Sequence, residues 1–174
     1  ERMGELTLNT PKPLLEYRGK SLLDWKFEAL PDNVDEIVLL IGYLGEKIQN
    51  KFGNSYKDKR ITYVWDKEIK GTGKGLWKTK DVLDENFLVM MGDDIYNKEA
   101  LERASKEDWS ITTIKVPYES DASRIEIDQN GRLINFLTVK SYHEKYSDNG
   151  FAFTGLYSLK KEIFKYPLVK MKTK

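Results

Sequence analysis

Two short runs, "IVLLIGYL" at 37–44 and "FLVMMG" at 87–92, limit what this chain can become more than anything else in it. Each is continuously apolar yet far shorter than the ~18 residues a membrane span needs. Runs of this kind are typical of strands covered on both faces, as in parallel sheets. Segments of helical period alternate with them. "KSLLDWKFEALPDNV" carries Leu23, Phe27 and Leu30 at i, i+4 and i+7, with Ser21 and Asp24 spaced as a reciprocal cap and Pro31 just beyond the end. "LGEKIQNKFG" is a short amphipathic helix, "RITYVWD" alternates like a strand, and "GKGLWKTKDVL" is again helical in pattern. The order α-β-α-β-α-β predicts an α/β domain with a largely parallel sheet.

The second half changes character. "DWSITTIKV", "SRIEID", "RLINFLTVK" and "GFAFTGLYSL" are β-rich, and Asn130-Gly131 between two of them predicts a two-residue hairpin. The expected architecture is a Rossmann-like, three-layer α/β/α domain with a mixed, mostly parallel central sheet and an antiparallel β extension. One domain accounts for the 174 residues. A parallel sheet ordinarily opens on a strand, whereas this chain opens on a loop and a helix, and "YPLVKMKTK" ends it without obvious closure. The expectation is a single domain over 1–174 that lacks its first strand and its C-terminal part.

Charge and composition narrow the chemistry. The 29 Lys+Arg against 28 Asp+Glu leave a formal charge of +1, too little for the electrostatic footprint of a nucleic-acid binder. With no Cys, the chain has no disulfide framework, thiol nucleophile or thiolate zinc site, which suits a cytoplasmic location. With one His, His143, it can build neither a two-His metal site nor a His relay.

Four motifs carry polar chemistry. "KGTGKGL" is neither a Walker A loop, since position 68 is Glu and Gly75 stands where Ser or Thr should hold magnesium, nor a dinucleotide fingerprint, since its third glycine comes one residue early. It remains a Gly-rich turn before a helix, where backbone can approach a flat ligand or simply turn. "MMGDDIY" sets Asp93 and Asp94 beyond a buried strand, placed either to hold a hard cation or, for Asp94, to cap a helix. "TPKPLL" holds Lys12 between two prolines, presenting an ammonium from a stiff loop. "TVK" at 138–140 ends a strand with Lys140.

In this order the motifs resemble the sugar-phosphate nucleotidyltransferases, which include guanylyl-, uridylyl- and thymidylyltransferases. "RMGELTLNTPKPLL" is similar to the second half of that family's signature loop, Gly42-Tyr43 to its "GY", "DKEIKGTGKGL" to its base-binding segment, and Gly92-Asp93 to its strand-end "GD". "TVK" is a degraded form of its E-K-P motif, and "FAFTGLY" resembles a strand lining its sugar pocket. The resemblance implies joining an NTP to a sugar 1-phosphate, with pyrophosphate released, by in-line attack on the α-phosphorus with Mg²⁺. It implies Arg2 and Lys12 as catalytic cations, Asp93 as the metal ligand, and Asp66, Gly71 and Thr72 as nucleotide contacts. Lys140, Ser123 and Thr154 would contact the sugar phosphate. The family's upstream glycines and its second metal-binding Asp have no counterpart here, and Ser123 stands where many members have glycine.

A carboxylate only accepts hydrogen bonds, and guanine offers it paired donors, so Asp66 favours guanine over uracil or thymine. The alternative is that Asp66 points to solvent. The partners implied are small molecules, with neither nucleic acid nor membrane, and homo-oligomerisation stays open. Two further readings remain: a non-catalytic relative that binds a nucleotide or sugar nucleotide, and a phosphocholine-type cytidylyltransferase on the same fold.

Overall fold

The computed structural model describes residues 4–68 and 71–169. In chain order the elements are β1 (Glu16–Tyr17), β2 (Lys20–Ser21), α1 (Leu22–Glu28), β3 (Glu36–Ile41), α2 (Gly45–Phe52), β4 (Ser55–Tyr56), β5 (Lys59–Trp65), α3 (Thr72–Lys78) and β6 (Asn86–Val89). There follow α4 (Lys98–Ala104), β7 (Ser110–Val116), β8 (Arg124–Ile127), β9 (Leu133–Leu137), α5 (Val139–Lys145) and β10 (Gly150–Lys160). Short 3₁₀ turns occur at Gly4–Thr7, Lys12–Leu14 and Lys161–Lys165.

The first half follows its pattern closely. Ser21 caps α1, accepting from the Asp24 N–H at 3.2 Å while the Asp24 carboxylate accepts from the Ser21 N–H at 2.9 Å. That reciprocal cap satisfies two orphan donors at the helix start. Leu23, Phe27 and Leu30 then bury together against Ile37, Ile41, Ile48 and Ile61. β3 and β5 pair in parallel, from Glu36 opposite Arg60 to Ile41 opposite Trp65, and β4 folds back antiparallel on β5.

Parallel pairing among the described strands is confined to β3 and β5. β6 pairs antiparallel with β10, which makes it part of a five-stranded antiparallel sheet with β7, β8 and β9. β3 and β6 face each other across a cleft of about 460 Å³, lined by Val38 and Leu39 on one side and Phe87 and Leu88 on the other. Met90 packs against the cores on both sides.

β10 organises the second sheet. A strand has two bonding edges; β7 takes one along both halves of β10, so β8 and β6 share the other, β8 at Phe151–Ala152 and β6 at Tyr157–Lys160. The register shifts between Phe153 and Tyr157. Gly155 sits inside that irregularity at φ +82°, a conformation that favours glycine. A Cβ there would come within 2.6 Å of Met91 Cγ, 3.1 Å of Tyr96 Oη and 3.2 Å of Asp94 Oδ2.

Three local expectations need correction. The β8–β9 connection is not a two-residue turn: Asp128 accepts through Oδ1 from the N–H groups of Asn130 and Arg132, each at 2.8 Å, and only Gly131 takes a positive φ. The Asp128 side chain thus makes the longer loop the better-bonded one. Asp94 caps no helix; Asn97 does, accepting from the Ala100 N–H at 2.7 Å. Lys140 does not end a strand. β9 stops at Leu137 because Thr138 caps α5, accepting from the Ser141 N–H at 3.1 Å, and Lys140 lies in the first turn of that helix.

Three stability outcomes follow. Burial raises the Asp24 pKa, but Lys51 and Ser21 outweigh it and hold the carboxyl below its ordinary 3.8. Its contribution is therefore present above that value and lost as pH falls through the lower folded value. Asp24→Ala should cost about 1 kcal/mol in urea unfolding at pH 7, with the gap to the parent narrowing as pH falls below the ordinary carboxylate value. Gly155→Ala should cost about 2–4 kcal/mol, from the positive φ and the displaced Met91 together. Gly131→Ala, also at positive φ but with open space around it, should cost only about 1 kcal/mol in the same assay.

Candidate active site

The loop over residues 4–15 is shaped by its prolines. Pro11, at φ −64° and ψ 140°, leads into the single 3₁₀ turn Lys12–Leu14, closed by the Leu14 N–H donating to the Pro11 carbonyl at 2.8 Å. Tyr43 Oη donates to the Leu8 carbonyl at 3.0 Å and Lys47 donates to that of Asn9, so the loop is fastened to the residues leaving β3. Pro13 Cγ lies 3.4 Å from where a Cβ on Gly92 would stand. The stiff loop therefore rests on the turn after β6.

That contact brings together two residues far apart in sequence. Lys12 Nζ is 3.8 Å from Asp93 Oδ2, with both side chains partly exposed, at 37% and 55%. An ion pair so open to water contributes little stability. Both groups remain available to a ligand.

Behind Asp93 the turn is tightly held. Tyr96 Oη accepts from the Met91 N–H at 3.2 Å and lies 3.2 Å from the Thr154 carbonyl and 3.4 Å from Asp94 Oδ2. Burial first, then the charges of Asp94 and Asp93, push the Tyr96 phenol up to about 12, so it stays protonated and able to donate. Thr154 is thus joined to the Asp94 turn through its carbonyl, while its hydroxyl donates to the Thr112 carbonyl at 2.9 Å. Lys26, from α1, donates to the Met91 carbonyl. Burial brings its ammonium down to about 8 against the opposing pull of Asp94 and Asp93.

At the other exit, Asp66 follows β5 and donates its N–H to the Ile41 carbonyl at 2.8 Å. The idea that it faces solvent is overturned: it is 5% exposed, and Oδ1 accepts from Lys78 Nζ at 2.6 Å and from the Glu68 N–H at 3.0 Å. The Gly71–Thr72 turn then opens α3, with Gly71 at φ +87°. A Cβ on Gly75 would meet Leu40 Cδ2 at 2.6 Å, so α3 lies close enough to β3 that a larger residue there would displace the end of the Leu40 side chain.

One connected set results. Asp66 is bonded to the end of β3, the next residues of that exit hold the Lys12 loop, Lys12 meets Asp93, and the Asp93 turn is tied through Tyr96 to Thr154. Ser123 and Lys140 are not joined to it by any hydrogen bond or ion pair among the described residues. Ser123 is exposed and follows a loop whose carbonyls at Pro117, Tyr118, Ser120 and Ala122 converge on the buried Arg124 guanidinium. The Lys140 side chain is 87% exposed, 3.9 Å from Glu144. Arg2 lies outside the described residues.

Among the described residues no three His, Asp or Glu side chains gather as a ready cation cage. Asp93 with Asp94 beside it does fit Mg²⁺, which takes one or two carboxylates and completes its shell with water and phosphate oxygens. Sequence reasoning missed Lys26, Lys78 and Tyr96. Lys26 did leave a signal, being a lysine inside the apolar stripe of α1; the other two look like ordinary surface and core residues in sequence.

No helix among the described residues is long and apolar enough to cross a membrane. The chain is 32% identical over 164 residues to the bifunctional protein GlmU of Methanocaldococcus jannaschii, covering 94% of this chain and 38% of that protein. It is 29% identical over 171 residues to the D-glycero-alpha-D-manno-heptose 1-phosphate guanylyltransferase of Aneurinibacillus thermoaerophilus, covering 94% and 72%. The chain thus spans about two fifths of the first of these relatives. Its fold matches a crystal structure of UDP-glucose pyrophosphorylase with UDP-glucose at a TM-score of 0.74 and 19% identity, covering 94% of this chain and 73% of that one. This likeness identifies the Rossmann-like arrangement of the two sheets. The sequence profile of the nucleotidyl transferase family matches residues 1–174, and the chain belongs to that family, the one its motifs resemble.

Proposed function

We propose that the protein containing this chain is a Mg²⁺-dependent sugar-1-phosphate nucleotidyltransferase. The observation that carries this reading is the Lys12–Asp93 pair, a cation and a carboxylate 3.8 Å apart and open to solvent at the end of the sheets. The reaction must bring two polyanions together so that a sugar-phosphate oxygen attacks the α-phosphorus in line with departing pyrophosphate. The nucleophile is already an anion, so no general base is required, which suits a chain with one His and no Cys.

Lys12 offers a point charge where the reacting phosphates meet, and the prolines on either side keep it from retreating. Asp93 would hold Mg²⁺, which when bound offsets the charge spread over the phosphates. Asp94 and Thr154, linked through Tyr96, shape the side towards the sugar. Arg2, Ser123 and Lys140 belong to this proposal through the family resemblance, with Arg2 at the pyrophosphate, Ser123 near the sugar and Lys140 at the sugar phosphate.

The Gly71–Thr72 turn receives the base, since Gly71 carries no side chain to keep a flat ring from its backbone. Guanine is the base we propose. The heptose 1-phosphate relative is named a guanylyltransferase, while Asp66, buried and paired with Lys78, anchors the end of β5.

Lys12→Ala and Asp93→Ala in the full-length protein should each lower pyrophosphate release by about 10²-fold or more, with far-UV circular dichroism unchanged. Near-parent turnover in either would remove the assigned role. In a pyrophosphate-release screen over several NTPs and sugar 1-phosphates, GTP should be the preferred nucleotide; faster turnover of UTP or dTTP would reject the guanine assignment.

A further inference from the structure

α1 carries a lysine where its pattern asks for an apolar residue. Leu23, Phe27 and Leu30 define the inward stripe, and Lys26 falls within it, three residues after the first and four before the last. The side chain is buried accordingly, at 3% exposed. A lysine stem commonly lies along apolar surface while its ammonium reaches water. This ammonium instead ends inside, donating to the Met91 carbonyl and standing 5.7 Å from the centroid of the Tyr96 ring.

Among the described residues it forms no direct ion pair with a carboxylate. A buried charge without a contact partner is unfavourable unless a field of opposite sign offsets it. Asp93 and Asp94, beginning two residues after Met91, supply that field. The interaction is mutual, so any cation that approaches those carboxylates also meets the charge of Lys26 beneath them.

We propose that Lys26 is a positioning residue that fixes the Met91–Asp94 turn through the Met91 carbonyl and, by its charge, keeps the bare turn a weak divalent-cation site. The cation is then held firmly only together with the negative phosphates of a nucleotide. This rests on the reading of Asp93 as the cation ligand. Two ammonium groups thus flank one turn with different freedom. Lys12 lies at the surface, 37% exposed, and can turn towards phosphates, whereas Lys26 is locked by burial and by its carbonyl acceptor.

The test is calorimetric titration of Mn²⁺ alone into the nucleotide-free full-length protein and its Lys26→Met and Lys26→Gln variants. Gln keeps a donor for the Met91 carbonyl but not the charge. Both variants should bind Mn²⁺ about fivefold to tenfold more tightly than the parent, with circular dichroism unchanged. A purely structural role predicts the opposite, since loosening the turn weakens binding. Unchanged or weaker binding in the folded variants overturns the proposal, as does an absence of binding in parent and variants alike. Should the Met variant fail to fold, the Gln variant carries the test. Adding Asp93→Asn separates the two readings. If the gain disappears, both are supported; if it survives, the Lys26 effect stands on Asp94 and Asp93 is removed as the ligand.

Discussion

Strand pairing satisfies backbone N–H and C=O groups, and in this chain the pairing of β3 with β5 decides where polar residues emerge. β3 and β5 run side by side in parallel, so the two segments leave the sheet at the same end. The Asp66 N–H extends the ladder one step further by donating to the Ile41 carbonyl. Beyond that point backbone groups have no strand to pair with, and the Gly42-Tyr43 and Asp66 exits are free to serve side chains and ligands. Helix α3 covers this pair closely, and Gly75 leaves room there for Leu40. The position of the Gly-rich turn is thus a consequence of packing as much as of chemistry.

The second sheet supplies the other half of the site by a different device. β10 is an uninterrupted eleven-residue strand in chain order but not in pairing. Its irregularity at Phe153–Tyr157 falls where β8 has stopped pairing and β6 has not begun. A regular strand would point its side chains alternately up and down through this gap. Gly155 instead removes the side chain and lets the Met91–Asp94 turn come down on the strand, where Tyr96 ties it to Thr154. The carboxylates are therefore set by backbone contact with β10, and Lys12 is brought to them by Pro13 resting on Gly92.

Much of this was legible in the sequence for physical reasons. Continuous apolar runs, the Ser21–Asp24 cap spacing and the 3.6-residue stripe of α1 each express a local rule, and each element formed where its rule placed it. The strand-end carboxylate and the proline-held lysine were also readable, because strand ends and rigid loops limit where a charge can go. What escaped was competition from individual side chains. Asn130-Gly131 satisfies a hairpin rule, but the Asp128 carboxylate offers two hydrogen bonds that favour a longer loop. Thr138 outbids continuation of β9 by capping α5, which carries Lys140 away from a strand end. The partner of Asp66 was hidden because Lys78 lies a turn and a helix away, and nothing in "KGLWK" marks one lysine as the one that folds back.

The two buried charges of the site show how such competition is resolved. Asp66 and Lys26 are both almost fully buried, yet only Asp66 has an opposite charge in contact, through Lys78. That pair, completed by the Glu68 N–H, is satisfied locally and anchors the segment leading to the Gly-rich turn. Lys26 is satisfied only in part, by one carbonyl and an aromatic face, and depends on carboxylates that are themselves open to solvent on their far side. A buried charge balanced at a distance is the arrangement most sensitive to what happens at the exposed groups, because neither burial nor a contact partner shields it from them. Any change of charge at Asp93, whether by protonation, by a cation or by phosphates arriving at Lys12, is therefore felt at α1. The helix that heads the first core and the turn that bears the candidate cation ligand are coupled through one ammonium group.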